Sequence, residues 1–118
     1  SEQNKHGYMP HLSEKNCKII DESEKGLQGN DIRHYMAQLH NSWTAQEEEI
    51  LEREFNFPNH GEAVEFINRV SDLATSQEKY PELRLSYASV NVRIGSSEVD
   101  GLHENDFILA AKIDRHSN

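Results

Sequence analysis

The sequence predicts an α+β fold in which helices cover one face of a four-stranded antiparallel sheet. Two observations lead to this fold class: apolar residues recur with a helical period in three segments, and they alternate with a period of two in the segments between. The predicted order is helix, two strands, helix, two strands, helix. Helices that alternate with pairs of short strands are typical of a two-layer arrangement.

The first predicted elements are a short helix and a hairpin. Asn30 or Asp31 is a suitable N-cap for the helix. The apolar stripe of this helix consists of Ile32, Tyr35, Met36 and Leu39. A strand with one buried face follows over residues 51–57, and the acidic run 46–49 is the exposed tip of its hairpin with a short strand at Trp43.

The second predicted helix is the longest. Asn59 is its N-cap, and Glu62 lies three residues later, as in a capping box. The helical stripe consists of Ala63, Phe66, Ile67, Val70, Leu73 and Ala74. We expect the helix to end near Lys79, because Pro81 disfavours helical geometry at Tyr80.

Two strands, a loop and a last helix complete the chain. The alternation slips by one residue at Ala88 and Ser89, so a tight turn or a bulge must separate the two strands there. Residues 95–101 have the composition of a loop. Glu104 and Asp106 then stand at the positive end of the final helix.

Composition sets the size and excludes several classes of function. The chain of 118 residues has room for one domain, and 21 Asp and Glu against 12 Lys and Arg give a net charge of -9. Such a surface repels nucleic acid and anionic membranes. Because the hydrophobic share is only 35%, we expect residues 1–29 to be a flexible polar arm and residues 30–118 to be the domain.

Localisation and bound groups are predicted from the same features. No apolar stretch is long enough to span a bilayer and the N-terminal residues are polar, so we expect a cytoplasmic protein. The single cysteine, Cys17, permits no internal disulfide and no thiolate zinc site, and we expect it to be inert. For all seven histidines we favour a solvated or helix-capping role, and we expect no metal and no cofactor.

The second half of the chain carries a resemblance to a known family. The stretch Lys-Tyr-Pro-Glu-Leu-Arg-Leu-Ser-Tyr-Ala-Ser-Val-Asn-Val starts at Lys79, and Gly101-Leu102, Asp106 and Ile113-Asp114 follow it. In this order the residues resemble the pterin-4a-carbinolamine dehydratase family. The similarity covers about residues 31–114, and it implies the same fold, with strands and helices in the order ββαββα after an N-terminal helix.

The chain departs from the family at the residues that the resemblance marks as catalytic. Two adjacent histidines before the proline and a third after the last strand form the family's dehydratase site, and these positions hold Lys79, Tyr80 and Ser97. Dehydration of a carbinolamine needs groups that titrate near neutrality, which tyrosine and serine do not. We expect Lys79 to be an ordinary solvated cation at a helix end. The resemblance therefore implies a retained fold with no catalytic residues.

A subgroup of the family also lacks these histidines, and the chain is similar to it at Tyr-Pro-x-Leu and Val-Asn-Val. This subgroup consists of the pterin-dehydratase-like Rubisco assembly factors of α-carboxysome bacteria. The resemblance implies a non-catalytic assembly factor or chaperone that binds the Rubisco large subunit, in the cytoplasm or associated with the carboxysome. The vestigial pocket or partner-binding surface would consist of Lys79, Tyr80, Pro81, Glu82, Arg84, Tyr87, Asn91, Ser97 and Asp106.

Several alternatives remain open at this point. The chain is either this interaction protein or a divergent dehydratase or pterin-binding protein that uses Asp106, Glu98 or Lys79; a transcriptional cofactor role is a minor third. Tyr80 and Tyr87 contact a partner or pack against the helices. The family resemblance also implies a homodimer or a tetramer, and the strand at residues 90–94 is compatible with an edge that pairs with a copy of itself.

Overall fold

The fold is a four-stranded antiparallel sheet with three α-helices, as the sequence predicts. We describe residues 11–117 from a computed structural model. A 3-10 turn (Leu12–Glu14) precedes helices α1 (Gly29–Met36), α2 (His60–Gln77) and α3 (Glu104–Arg115) and strands β1 (Thr44–Gln46), β2 (Ile50–Asn56), β3 (Glu82–Ser86) and β4 (Ser89–Ile94). Over these residues no helix is both long and apolar enough to cross a bilayer.

The strand order is β1-β2-β4-β3, with every neighbouring pair antiparallel. A two-residue turn at positions 87–88 joins β3 to β4, and Ser86 pairs with Ser89 across it, which is the predicted tight turn. The hairpin therefore places β4 between β3 and β2. The expectation that residues 90–94 form an edge strand is wrong, because β4 pairs on one side with β2 and on the other with β3; the edges are β1 and β3.

The helices cover one face of the sheet. Val90, Val92 and Ile94 of β4 are buried on that face, and Phe55 and Leu51 of β2 lie opposite Val90 and Ile94. The intervening residues of both strands point to the other face, as the period of a strand requires. This other face carries polar and charged side chains.

Helix α2 begins and ends where the sequence predicts. The Asn59 side chain accepts a hydrogen bond of 2.9 Å from the Glu62 N–H, which satisfies one free donor of the first turn. The helix ends at Gln77, and the next residue, Glu78, has a left-handed φ of 53° that breaks the helical path. The chain then turns into β3.

Helix α1 starts earlier than predicted and without the predicted cap. Its N-cap is Gln28, which makes no side-chain capping bond, rather than Asn30 or Asp31. Backbone contacts outside the helix fix this start: the Leu27 N–H donates to the Leu102 carbonyl at 2.8 Å. Tertiary structure, rather than a local cap, therefore sets where α1 begins.

The N-terminal segment, residues 11–28, lies against α3. Leu12 is buried in the core, and Lys112 and Arg115 of α3 bind the carbonyl and hydroxyl of Ser13 at 2.9 and 3.0 Å. Asn105 exchanges two hydrogen bonds with the backbone of Lys18. The described part of the predicted arm is thus docked on the domain, whereas residues 1–10 lie outside the described residues. The flexibility of the arm and the boundary at residue 29 stay predictions.

Asp114, near the C-terminal end of α3, ties that helix to the first hairpin. Its Oδ1 atom accepts hydrogen bonds of 2.7 Å from both the Trp43 indole and the Arg53 guanidinium. Its Oδ2 atom accepts the His40 N–H at 2.9 Å. One largely buried carboxylate therefore connects α3 to the turn at residues 40–43 and to β2.

We predict that Asp114→Asn destabilises the protein by about 2 kcal/mol, because it removes a charge-assisted contact and leaves the Arg53 cation largely buried without a partner. Urea unfolding followed by Trp43 fluorescence measures the change. Asp72→Asn, on the exposed face of α2, is the matched control and should cost less than about 0.5 kcal/mol. Equal stability of the two variants would contradict the role of Asp114.

Candidate functional site

The site lies where three segments meet. Residues 79–81 follow the C-terminal end of α2, the loop 95–101 follows β4, and α3 begins at Glu104. Lys79 lies just after the C-terminal end of α2, and Asp106 lies in the first turn of α3. The left-handed Glu78 turns the chain so that the Lys79 side chain points at the first turn of α3.

Lys79 and Asp106 form an ion pair in the interior. The Lys79 Nζ atom is 2.8 Å from Asp106 Oδ1, and the two side chains are 13% and 0% exposed. The ammonium also donates to the Gly95 carbonyl at 3.1 Å and to the Ser96 hydroxyl at 3.2 Å. The expectation of a solvated lysine is therefore wrong, because Asp106 provides a buried counter-charge.

Asp106 is bound on both of its oxygens. The Ser96 hydroxyl is 2.9 Å from each of them, and the His103 N–H donates to Oδ2 at 2.9 Å. His103 in turn caps α3, since its Nδ1 atom accepts the Asn105 N–H at 3.0 Å. Asp106 thus closes the first turn of α3 and holds the loop before it, and it has no exposed surface for a substrate.

An open cleft of about 500 Å³ lies beside this network. We call it the Tyr80 cleft, and its lining includes Glu49, Tyr80, Glu82, Arg93, Ser97 and Asp100. The Tyr80 side chain is 69% exposed, and Ser97 is also exposed. Two of the three positions that the resemblance marks as catalytic therefore face the cleft, while Lys79 is absent from its lining and binds Asp106.

Other predicted site residues lie outside the cleft. Arg84 projects from the outer face of β3, where its Nε atom is 2.8 Å from Glu82. Across the ladder from Arg84, the Oδ1 atom of Asn91 is inaccessible and has no hydrogen-bond partner. The predicted residues are thus divided between the ion pair, the cleft, the outer face of the sheet and the β3–β4 hairpin, and the half-buried Pro81 precedes β3.

Tyr87 lies at the tip of the β3–β4 hairpin. It is 75% exposed, and its ring stacks on His60 with centroids 5.6 Å apart. Tyr87 thus contacts the first residue of α2, yet neither Tyr87 nor Tyr80 is buried in the core. Both aromatic side chains are accessible to a partner.

Sequence reasoning missed two members of the site, Ser96 and Arg93. Ser96 binds Asp106, whereas the resemblance drew attention to its neighbour Ser97. Arg93 pairs with Glu52 at 3.2 Å and Glu82 at 3.7 Å across the ladder. The spacing of His103 and Asp106, three residues apart, is the one signal that predicts a capping interaction.

Cys17 lies in a second cleft on the other side of Lys79, lined by the N-terminal segment and the end of α2. Burial raises the pKa of its thiol, with the Asp106 carboxylate adding to the rise and the Lys79 ammonium opposing it. No group of three or more His, Cys, Asp or Glu side chains in residues 11–117 is arranged to hold a metal ion.

We predict that folding slows the alkylation of Cys17. The thiolate is the reactive form, so the raised pKa moves the pH midpoint of reaction with iodoacetamide upward in the folded protein. Mass spectrometry over a pH series, with the urea-unfolded chain as the reference, measures both midpoints. A midpoint in the folded protein equal to or below that of the unfolded chain would contradict this prediction.

Comparisons with known proteins agree with this fold. The family model described as pterin 4 alpha carbinolamine dehydratase matches residues 25–116. A relative in Alkaliphilus metalliredigens is 34% identical over 93% of this chain and 99% of its own length, and one in Rickettsia canadensis is 37% identical over 90% and 97%. Both bear the name "Putative pterin-4-alpha-carbinolamine dehydratase".

Two solved structures share the fold at 21% sequence identity. The transcriptional coactivator/pterin dehydratase from Brucella melitensis has a TM-score of 0.74 and covers 80% of this chain and 100% of its own. A pterin dehydratase-like protein described as a RuBisCO assembly factor in the alpha-carboxysome has a TM-score of 0.59 and covers 67% and 93%. Because the family model spans most of the residues and full-length relatives exceed 30% identity, the chain belongs to the pterin 4 alpha carbinolamine dehydratase family.

Proposed function

We propose that this chain is a non-catalytic member of its family that works by binding another protein. The Lys79–Asp106 ion pair is the observation that carries the proposal. A lysine ammonium has three donors, and here Asp106, the Gly95 carbonyl and the Ser96 hydroxyl accept them. Lys79, at the first histidine position of the family, thus has all three of its donors engaged in contacts within the fold. The other two positions hold the phenol of Tyr80 and the hydroxyl of Ser97.

The groups suggested for a divergent dehydratase are poorly placed for acid and base catalysis. Asp106 has no exposed surface, and Lys79 is bound to it. Glu98 lines the second cleft, not the Tyr80 cleft. A general acid or base must come within hydrogen-bond reach of the proton that it transfers, so none of the three suits a substrate in the Tyr80 cleft.

A dehydratase is the second candidate function. The names of the full-length relatives favour it, and the open Tyr80 cleft offers space for a small molecule.

We predict that the folded protein dehydrates pterin-4a-carbinolamine at the uncatalysed rate, because the two of the three positions that face the cleft hold a phenol and a hydroxyl, which do not titrate near neutrality, and Lys79 is bound to Asp106. An assay coupled to a pterin-dependent hydroxylase measures the rate, with a histidine-bearing family member as the positive control. A rate more than about 100-fold above background would contradict the proposal and support the dehydratase.

For the partner we propose the Rubisco large subunit, in an α-carboxysome setting and in an assembly or chaperone role. The subgroup resemblance supports this choice, as does the shared fold with a pterin dehydratase-like protein described as a RuBisCO assembly factor. The exposed rings of Tyr80 and Tyr87 suit such a surface, because tyrosine often dominates the binding energy of interfaces.

We predict that the tagged protein captures Rubisco large subunits on co-expression and raises the yield of assembled Rubisco. Tyr80→Ala with Tyr87→Ala should reduce capture by at least about tenfold, since each ring is a candidate anchor. Glu65→Gln, on the exposed face of α2, is the control and should capture normally. If the unaltered protein neither captures the subunits nor changes the yield, the Rubisco assignment is wrong.

We also propose a homodimer through the outer edge of β3. An antiparallel pairing of β3 with its copy, centred on Leu83, would place Glu82 opposite Arg84 of the second copy, and Arg84 opposite Glu82. Both side chains project from the same face of the strand, so this register is complementary in charge. Among the described residues this edge has no neighbouring strand.

We predict that Arg84→Glu weakens the dimer, because two like charges then meet at each of the two symmetric positions. The exchange Glu82→Arg with Arg84→Glu restores opposite charges and should restore the dimer. Light scattering over a concentration series measures both. A monomeric parent protein at micromolar concentration, or a dimer that Arg84→Glu leaves unchanged, would contradict this interface.

A further inference from the structure

We propose that the Tyr80 cleft binds an arginine or lysine side chain of the protein partner. This inference rests on the proposed function, because it names the chemistry by which a protein-binding member would recognise its target. It adds to that function a specific place on the surface, the Tyr80 cleft, where one side chain of the partner binds.

The shape of the cleft suits a long side chain. Its volume of about 500 Å³ lies in the range of pockets that hold a specific ligand. One wall is the exposed ring of Tyr80, and the loop 95–101 forms another part of the lining. An aromatic face beside an open cleft is a favourable surface for a guanidinium or an ammonium group.

The charges around the cleft select a cation. Among the described residues that line it, Glu49, Glu82 and Asp100 are acidic and Arg93 alone is cationic. The Arg93 guanidinium is already engaged, 3.2 Å from Glu52 and 3.7 Å from Glu82. The nearby Lys79 ammonium is likewise bound to Asp106.

Two carboxylates of the cleft differ from the third in their pairing. In the part of the chain from 11 to 117, no ion pair includes Glu49 or Asp100. Both residues are exposed, so an incoming cation meets them without displacing an existing partner. An anionic ligand would meet these two charges unfavourably.

The occupant that fits is a side chain of a protein rather than a free metal ion. The described residues contain no cluster of ligands close enough to coordinate one. Tyr80 and the Ser97 hydroxyl add an aromatic face and a polar group, which match the apolar stem and the hydrogen-bonding head of arginine or lysine. The net charge of -9 adds long-range attraction for a basic segment.

The test uses a fluorescein-labelled peptide in which arginine alternates with glycine, and a matched peptide with glutamine in place of arginine. Fluorescence anisotropy with the full chain, at about 150 mM salt to screen distant charges, measures both affinities. We expect the arginine peptide to bind at least about tenfold more tightly than the glutamine peptide.

Charge-matched variants then locate the site. Glu49→Gln with Asp100→Asn removes two charges from the cleft, and Glu65→Gln with Asp72→Asn removes two from the exposed face of α2. We expect the cleft pair, and also Tyr80→Leu, to weaken binding of the arginine peptide by about tenfold, while the α2 pair changes it less than about twofold. All five positions are exposed, and circular dichroism verifies that each variant is folded.

The inference is overturned if the two peptides bind equally, or if the α2 pair weakens binding as much as the cleft pair, which would indicate diffuse attraction. The peptide assay contains no Rubisco, so the two proposals fail separately. If the arginine peptide shows no preference over the glutamine peptide but Rubisco is captured normally, only the proposal for the cleft is rejected. A positive peptide result without Rubisco capture supports the cleft and rejects Rubisco as the partner.

Discussion

Burial of helix α3 on all sides is the constraint on which the rest of the structure depends. Its apolar side chains face every direction around the axis and are all buried: Phe107, Ile108, Leu109, Ala110, Ala111 and Ile113. A helix that is apolar all round needs cover all round. The sheet and the other helices supply part of it, and the N-terminal segment supplies the rest through Leu12 and the contacts to Ser13.

A carboxylate near each end of α3 fixes the orientation of this helix relative to its neighbours. Asp114 binds the first hairpin, and Asp106 binds the loop before the helix and the lysine after α2. A buried carboxylate is stable only with partners around it. At Asp106 the lysine that supplies the partner also occupies the position where the family carries a histidine. Under the proposed function, this lysine both stabilises the buried carboxylate and replaces an acid-base group.

The elements were predictable from sequence because their signals are local. Asn59 and Glu62 mark the start of α2, and the parity slip at Ala88 marks the hairpin turn. The missed features depend on residues far apart in the chain. The strand order places β4 in the centre, and the Lys79 counter-ion lies 27 positions away. The docked segment was missed because its buried anchor, Leu12, belongs to no helical or strand period in the sequence.

One close approach connects the N-terminal segment to the cleft. A Cβ atom at Gly26 would lie 1.9 Å from the Asp100 carbonyl oxygen, so only glycine allows these two stretches of backbone to touch. The loop 95–101, which lines the Tyr80 cleft, is therefore in backbone contact with the N-terminal segment that covers α3. If the N-terminal segment were displaced, the loop 95–101 would lose this contact. The shape of the Tyr80 cleft therefore depends on the docking of the N-terminal segment.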